Sequence, residues 1–122
     1  MTAERNFLSA DELLARGRSQ ERLREAYIPE AGGWVRIKVL SARDRDRMDA
    51  GLYDEKGEFR HEDFRARYLS EVLVGEDGAP LYSEEQIRDL AELDARVVER
   101  IFKEAQKVNG LMKGEVEEAE KN

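Results

Sequence analysis

The chain has 122 residues, enough for about one domain, and both its hydrophobic and its charged share are 40%. No stretch approaches the roughly 20 consecutive apolar residues that span a bilayer, which excludes a transmembrane helix. The absence of cysteine excludes disulfides, a thiol nucleophile and cysteine-containing metal sites, and it fits a reducing cytoplasm. The first residues lack the apolar core of a signal peptide, so we expect none.

The net charge of −7 is concentrated in the second half of the chain. Residues 1–60 carry 12 basic and 12 acidic side chains, whereas residues 61–122 carry 9 basic and 16 acidic ones. An acidic half disfavours general nucleic-acid binding, because neutralising phosphates requires Lys and Arg. We therefore interpret the charge as a solubility feature.

The N-terminal arm, residues 1–21, contains one predicted helix. Ser9 followed three residues later by Glu12 is a capping-box pattern, in which each side chain bonds a free backbone N–H of the first turn. The pattern predicts a helix over residues 10–16 that ends at Gly17. Because so short a helix is marginal alone, we expect it to dock or fray.

A β-hairpin is predicted next. Segments 22–28 and 34–40 are rich in strand formers, and the second alternates apolar and polar residues with a period of two. The PEAGG sequence between them has the residues of a turn. An isolated hairpin is barely stable in water, so one face should pack on helices or on another chain. The alternation buries Val35, Ile37 and Val39, and it places Arg36 and Lys38 on the opposite face.

Four helices are predicted after the hairpin, from capping residues and from apolar residues at helical spacing. The first is highly charged, begins after Ser41 and ends at Gly51, and the second covers about residues 62–74. The third opens at Ser83, and the fourth ends at the Asn109-Gly110 pair. The third should place Ile87, Leu90 and Leu93 on one face, and the fourth carries the clearest apolar stripe: Val97, Val98, Ile101, Phe102, Ala105 and Val108.

This order of elements predicts an α+β fold, with an N-terminal β-hairpin packed on a small bundle of about four helices. We expect a single domain over residues 22–111, preceded by the arm and followed by an acidic C-terminal tail over residues 112–122.

Motifs for catalysis or cofactor binding are missing from the sequence. His61 is the one histidine, and with adjacent Glu62 and Asp63 it does not converge on one ion, so we expect no metal site. Phosphate-binding glycine loops, HExxH, GxSxG and EF-hand patterns do not occur. We therefore predict a protein that is not an enzyme and uses no cofactor.

The apolar stripe of the last helix has two interpretations. It forms core, as such stripes usually do, or part of it remains open as a groove for a partner helix. Both interpretations can hold for different residues along it. The residues that we predict to bind a partner are Ile101, Phe102, Val108, Leu111 and Met112.

Several short segments, taken in order, resemble tail assembly chaperones of long-tailed bacteriophages. They are PEAGGW leading into a strand, Leu40-Ser41 opening an Arg/Asp-rich helix, a VGEDG turn, LYS before an acidic helix, and NGL near the end. The resemblance covers about residues 22–120 and leaves the arm unmatched.

The resemblance implies a protein of the host bacterial cytoplasm that is absent from the mature virion. By this resemblance, the chain binds the phage tape measure protein and keeps it soluble until tail-tube protein polymerises around the tape measure. The resemblance also implies possible homo-oligomers. In such phages a programmed −1 frameshift gives a longer form that recruits tail-tube protein. Glu120-Lys121-Asn122 can be encoded by a slippery heptamer, so we expect this short form to have a longer counterpart.

Two other functions stay open. Another morphogenesis part, such as a connector or neck protein, would be found in purified virions. An acidic DNA-mimic or antitoxin-like inhibitor would need carboxylates spaced like phosphates on one face, and only the outer helix faces offer them.

Overall fold

A computed structural model of the chain describes residues 5–18 and 21–110, and it confirms the predicted α+β class. Its elements in chain order are α1 (Ala10–Arg16), β1 (Leu23–Ile28), β2 (Gly33–Lys38), α2 (Ala42–Gly51), α3 (Phe64–Val72), β3 (Leu73–Val74), α4 (Ile87–Ala91) and α5 (Ala95–Asn109). A short 3₁₀ turn over Glu84–Gln86 leads into α4. Within the described residues, none of the helices has the length and apolar character that crossing a bilayer requires.

The strands form an antiparallel sheet in the order β1-β2-β3. The hairpin register sets Ala26 opposite Val35 and Ile28 opposite Gly33. On the inner face, Ala26, Ile28 and Ile37 are buried, as the period of two predicts for Ile37. Val35 is half-buried against the core, and Val39, which lies beyond the end of β2, is also half-buried. Arg36 and Lys38 lie on the opposite face, as predicted, but they are half-buried and not fully exposed.

Strand β3 is a correction to the predicted helix over residues 62–74. The helix ends at Val72, and Leu73 and Val74 pair with Ile37 and Arg36 of β2. Both β3 residues are buried, and their hydrophobic side chains fit strand as well as helix. Pairing with β2 favours the strand conformation at these two residues. The local sequence pattern contains no information on that distant pairing.

The core lies between the inner face of the sheet and the pair α3 and α5. The Tyr68 and Phe102 ring centroids are 5.0 Å apart, and those of Phe64 and Phe102 are 6.0 Å apart, both edge to face. A smaller cluster joins Ala66 of α3 to Ile87 and Leu90 of α4. Leu93, predicted to share that apolar face, instead lies in the α4–α5 connection, with 44% of its surface exposed.

Asn109 ties the end of α5 to the end of β2. Its Oδ1 accepts a hydrogen bond from the Leu40 N–H at 2.8 Å, and its Nδ2 donates to the Lys38 carbonyl at 3.1 Å. The amide thus bonds two backbone groups as a neighbouring strand would. Gly110 follows in the left-handed conformation, with φ of 59°, and ends the helix. The connection fixes α5 beneath the hairpin.

Candidate partner-binding surface

The structure separates the residues predicted to bind a partner. Ile101 and Phe102 are only 5% and 3% exposed and belong to the core, whereas Val108 is half-buried at its edge. Leu111 and Met112 lie outside the described residues. Partner binding through these five positions stays a prediction, and Ile101 and Phe102 would have to leave the core to take part.

The largest exposed apolar side chains in the described part of the chain lie elsewhere, first on the N-terminal arm. Helix α1 has its predicted capping box: the Glu12 N–H bonds Ser9 Oγ at 3.1 Å, and the Ser9 N–H bonds the Glu12 carboxylate at 3.2 Å. None of its residues is buried. We define the arm surface as four exposed side chains on and just before α1: Phe7, Leu8, Leu13 and Leu14.

The capping box and an ion pair between Arg16 and Glu12 at 3.5 Å support the short helix that carries the arm surface. Leu8 and Leu13 occupy the positions just before the cap and in the second helical turn, which commonly pack together and fix how the chain enters a helix. Phe7 and Leu14 are 80% and 65% exposed. Leaving such side chains in water forgoes roughly 1.5–3 kcal/mol each, so the arm is poised to gain from burial.

The second exposed apolar feature is an aromatic pair on the hairpin. Tyr27 and Trp34 are opposite each other in the register, with ring centroids 5.4 Å apart and edge to face. They are 47% and 68% exposed. They lie on the outer face of the sheet, which we define as the side chains that alternate with the buried ones: Leu23, Glu25, Tyr27, Trp34, Arg36 and Lys38.

A cleft links the arm to the sheet. It has a volume of about 620 Å³ and brings Gly17 and Arg18, just after α1, beside Lys38 and Val74 of the sheet. The Lys38 ammonium lies 3.4 Å from the Asp44 carboxylate of α2 in the same cleft. A backbone hydrogen bond from Ser41 and the nearby Lys38 charge together hold the pKa of Asp44 below its usual value, despite partial burial. The ion pair between Lys38 and Asp44 thus forms part of the cleft wall.

Charge divides the molecule into two regions. Residues 5–47, which contain the arm and hairpin, carry ten basic side chains against seven acidic ones. Residues 48–110, which contain most of the helices, carry nine basic against sixteen acidic. The exposed apolar side chains of the arm and hairpin therefore lie in the mildly basic region, whereas residues 48–110 form an acidic region.

The described residues contain no cluster of three or more His, Cys, Asp or Glu side chains placed to hold a metal ion. His61 is exposed just before α3 and contacts the Phe59 ring at 4.7 Å between centroids. The exposed apolar side chains of the arm and hairpin are the candidate contact surface.

Sequence reasoning missed this surface although the pattern contained it. The alternation that turns Ile28 and Val35 towards the core puts Tyr27 and Trp34 on the opposite face. Two aromatic residues on the face expected to be polar were the available indication. For the arm, the indication was four large apolar residues around a helix too short to form a core.

No protein-family model and no curated protein matches the sequence. Among solved structures, the tail assembly chaperone of bacteriophage HK97 is similar, with a TM-score of 0.52 and 17% sequence identity. The match covers 86% of this chain and 100% of the HK97 chain. It confirms at the level of the fold the resemblance drawn from the sequence segments: this chain has the fold of a bacteriophage tail assembly chaperone.

Proposed function

We propose that this chain acts in bacteriophage tail assembly as a chaperone without enzymatic activity. It binds the tape measure protein, keeps it soluble, and in an extended form helps to recruit tail-tube protein. The shared fold with the HK97 chaperone supports the tail assembly role. The observation that carries the binding role is the exposed apolar surface of the arm and hairpin on a chain that is 40% charged.

The physical requirements of such a chaperone agree with this surface. A long helical rod with apolar stripes aggregates unless those stripes are covered. Trp34 and Tyr27 offer large, rigid contact area, and aromatic residues supply much of the energy of protein interfaces. The arm surface adds a short apolar helix of the kind that packs on a partner helix.

The acidic helical region explains how a complex would remain dissolved. With the arm and hairpin covered by the partner, residues 48–110 with their sixteen acidic side chains would face water, and like charge keeps complexes apart. Release requires no nucleotide if tail-tube protein competes for the same apolar stripes.

Co-expression with a tape measure fragment from the same phage tests this proposal. Leu14→Ser should reduce the soluble fraction of the fragment, because Leu14 is exposed on the arm surface. Leu93→Ser is the matched control, since Leu93 is an exposed leucine remote in sequence from the arm, and it should have no effect. Equal solubility with both variants would remove the arm from the binding site.

The aromatic pair and the C-terminal residues need separate variants. Trp34→Ser should weaken binding while leaving the unfolding midpoint nearly unchanged, since most of the side chain is already in water. Met112→Ala should weaken binding and spare folding if the sequence prediction for that residue holds. Full binding by Met112→Ala would limit the site to the arm and hairpin.

Mass spectrometry tests the remaining parts of the proposal. We expect the protein in infected cytoplasm and not in purified virions, and its presence in virions would favour a connector or neck protein. A second, larger product with the same N-terminus is expected from frameshifting near Glu120-Lys121-Asn122. An AAG codon at Lys121, or a single product during infection, would refute the frameshift alone.

A further inference from the structure

The outer face of the sheet carries an arginine, Arg36, at its centre. Trp34 and Lys38 lie two residues to either side of it along β2. Glu25 of β1 and Val74 of β3 lie opposite it in the register. Its side chain is half-buried. Within the described part of the chain no hydrogen bond or ion pair reaches its guanidinium, not even from the cross-strand Glu25.

The other cations beside this face have carboxylate partners. The Lys38 ammonium is 3.4 Å from Asp44, and the Arg24 guanidinium, on the edge strand, is 3.0 Å from Glu21. Arg36 therefore has its hydrogen-bonding capacity free for a group from outside the described residues. A carboxylate is the group that a guanidinium binds best, with two parallel hydrogen bonds. The partial burial of Arg36 strengthens such a contact, because less water screens it.

The apolar part of the outer face begins directly beside this arginine. Trp34 is 68% exposed, and Tyr27 packs edge to face against it from β1. The face is therefore apolar towards the hairpin turn and cationic at its centre. A ligand that fits it has a large apolar side chain next to a carboxylate.

The position of Arg36 in the sheet also restricts the backbone of the ligand. At this residue β2 is paired on both sides, with Glu25 of β1 and with Val74 of β3. The backbone hydrogen bonds lie in the plane of the sheet, so a ligand lying over the face meets side chains only. Such a ligand has to satisfy its own backbone groups, as an α-helix does.

We propose that the outer face binds an amphipathic helix in which Asp or Glu lies four positions from a large apolar residue. Two residues along a strand span about 7 Å, the separation of Trp34 and Arg36, and four residues along a helix span about 6 Å. The apolar residue packs on Trp34 and Tyr27, and the carboxylate binds Arg36. The inference rests on the proposed function, because it specifies which segments of the tape measure protein this chain recognises.

The charges of the face favour a protein helix over a nucleic acid. Single-stranded nucleic acid also stacks on exposed aromatic rings, but it needs a groove of cations that follows its phosphates. Here the carboxylate of Glu25 lies across from Arg36, and Asp44 neutralises Lys38. One unpaired guanidinium beside an acidic residue suits a single carboxylate better than a row of phosphates.

Trp34 provides a direct measurement, because it is the only tryptophan of the chain. Overlapping peptides that cover the tape measure protein of the same phage are the probes, each titrated into the full-length chain. Peptides that bind should shift the tryptophan emission to shorter wavelength as the exposed ring leaves water. Those peptides should carry an apolar residue and an acidic residue four positions apart, and peptides without this pair should not bind.

Matched variants test the role of the arginine. Arg36→Gln should weaken the best peptide about tenfold, and Arg36→Lys should weaken it less, because the charge remains. Arg88→Gln is the control, since Arg88 is an exposed arginine of α4, which packs on α3, and it should have no effect. Replacing the peptide's acidic residue by its amide should cost the wild type about tenfold and cost Arg36→Gln nothing further. That peptide change leaves the fold of this chain untouched.

The possible failures are distinct. Peptides that bind without a shift of the Trp34 emission, or with equal affinity for the wild type and Arg36→Gln, would overturn this inference and leave the proposed function standing. Failure of every peptide and of larger tape measure fragments to bind would overturn both. A shift of the emission with a single-stranded oligonucleotide at the same concentrations, and with no peptide, would assign the face to nucleic acid.

Discussion

Replacing Phe102 by Ala removes the side chain on which the contact between α3 and α5 is centred. The ring is 3% exposed, meets Tyr68 and Phe64 edge to face, and lies 5.5 Å below the Arg65 guanidinium. Truncating a buried phenylalanine costs about 3–5 kcal/mol, from lost transfer energy and the cavity left behind. This is a large share of the roughly 5–15 kcal/mol that stabilises a small domain.

Urea unfolding followed by circular dichroism measures this loss. With a slope of about 2 kcal/mol per M, a loss of about 4 kcal/mol lowers the midpoint by about 2 M. Phe7→Ala is the matched control, because it makes the same chemical change at a side chain that is 80% exposed, and it should change stability by less than about 0.5 kcal/mol. Equal small effects of the two variants would refute the placement of Phe102 in the core and reopen its role as a partner contact.

Asn109→Ala should destabilise by about 1–3 kcal/mol in the same assay, because the Lys38 carbonyl and the Leu40 N–H lose their part-buried partner; an unchanged midpoint would contradict the tie between α5 and β2. Asp94 caps α5, and its pKa is lowered to about 2 by side-chain and backbone hydrogen bonds from the arginine two residues on. Because this folded value is below the unfolded value of about 3.9, its stabilisation is present above pH 4 and is lost as pH falls towards 2. Asp94→Asn should remove that part of the pH dependence, which NMR titration and acid unfolding can check. Ile37→Asp should cost several kcal/mol by burying an unpaired charge, and an unchanged melting temperature would refute the facing of β2.

Elements set by local chemistry were predictable from the sequence. The boundaries of α1 and α2 follow from capping boxes, Ser9 with Glu12 and Ser41 with Asp44, whose bonds the structure contains. The hairpin follows from period-two alternation around a turn sequence. These features depend only on residues close in the chain.

Features set by distant residues were not predictable. Leu73 and Val74 form β3 because they meet β2 more than thirty positions earlier in the chain. Asn109 was expected only to help stop a helix, and its two bonds to the end of β2 depend on the packing of α5. Residue patterns encode such contacts weakly, since many local sequences are compatible with them.

The candidate site shows the same division. The stripe of the last helix predicted both core and partner contacts, and a periodic pattern has no information on which apolar residues another element covers. In the structure Ile101 and Phe102 are covered, while Tyr27 and Trp34 are open. Exposure of an apolar side chain depends on which elements pack over it, so the structure was needed to show which of these residues are covered and which are open.

The most direct test of the proposed chaperone function is co-expression with the tape measure protein that we propose as the partner, the product expected from a long, helix-rich reading frame downstream. We expect that protein to be insoluble alone and to co-purify as a soluble complex with this chain, with Trp34→Ser and Leu14→Ser each reducing the yield. A downstream protein that remains insoluble in the presence of the wild-type chain, or that is equally soluble without it, would contradict the function.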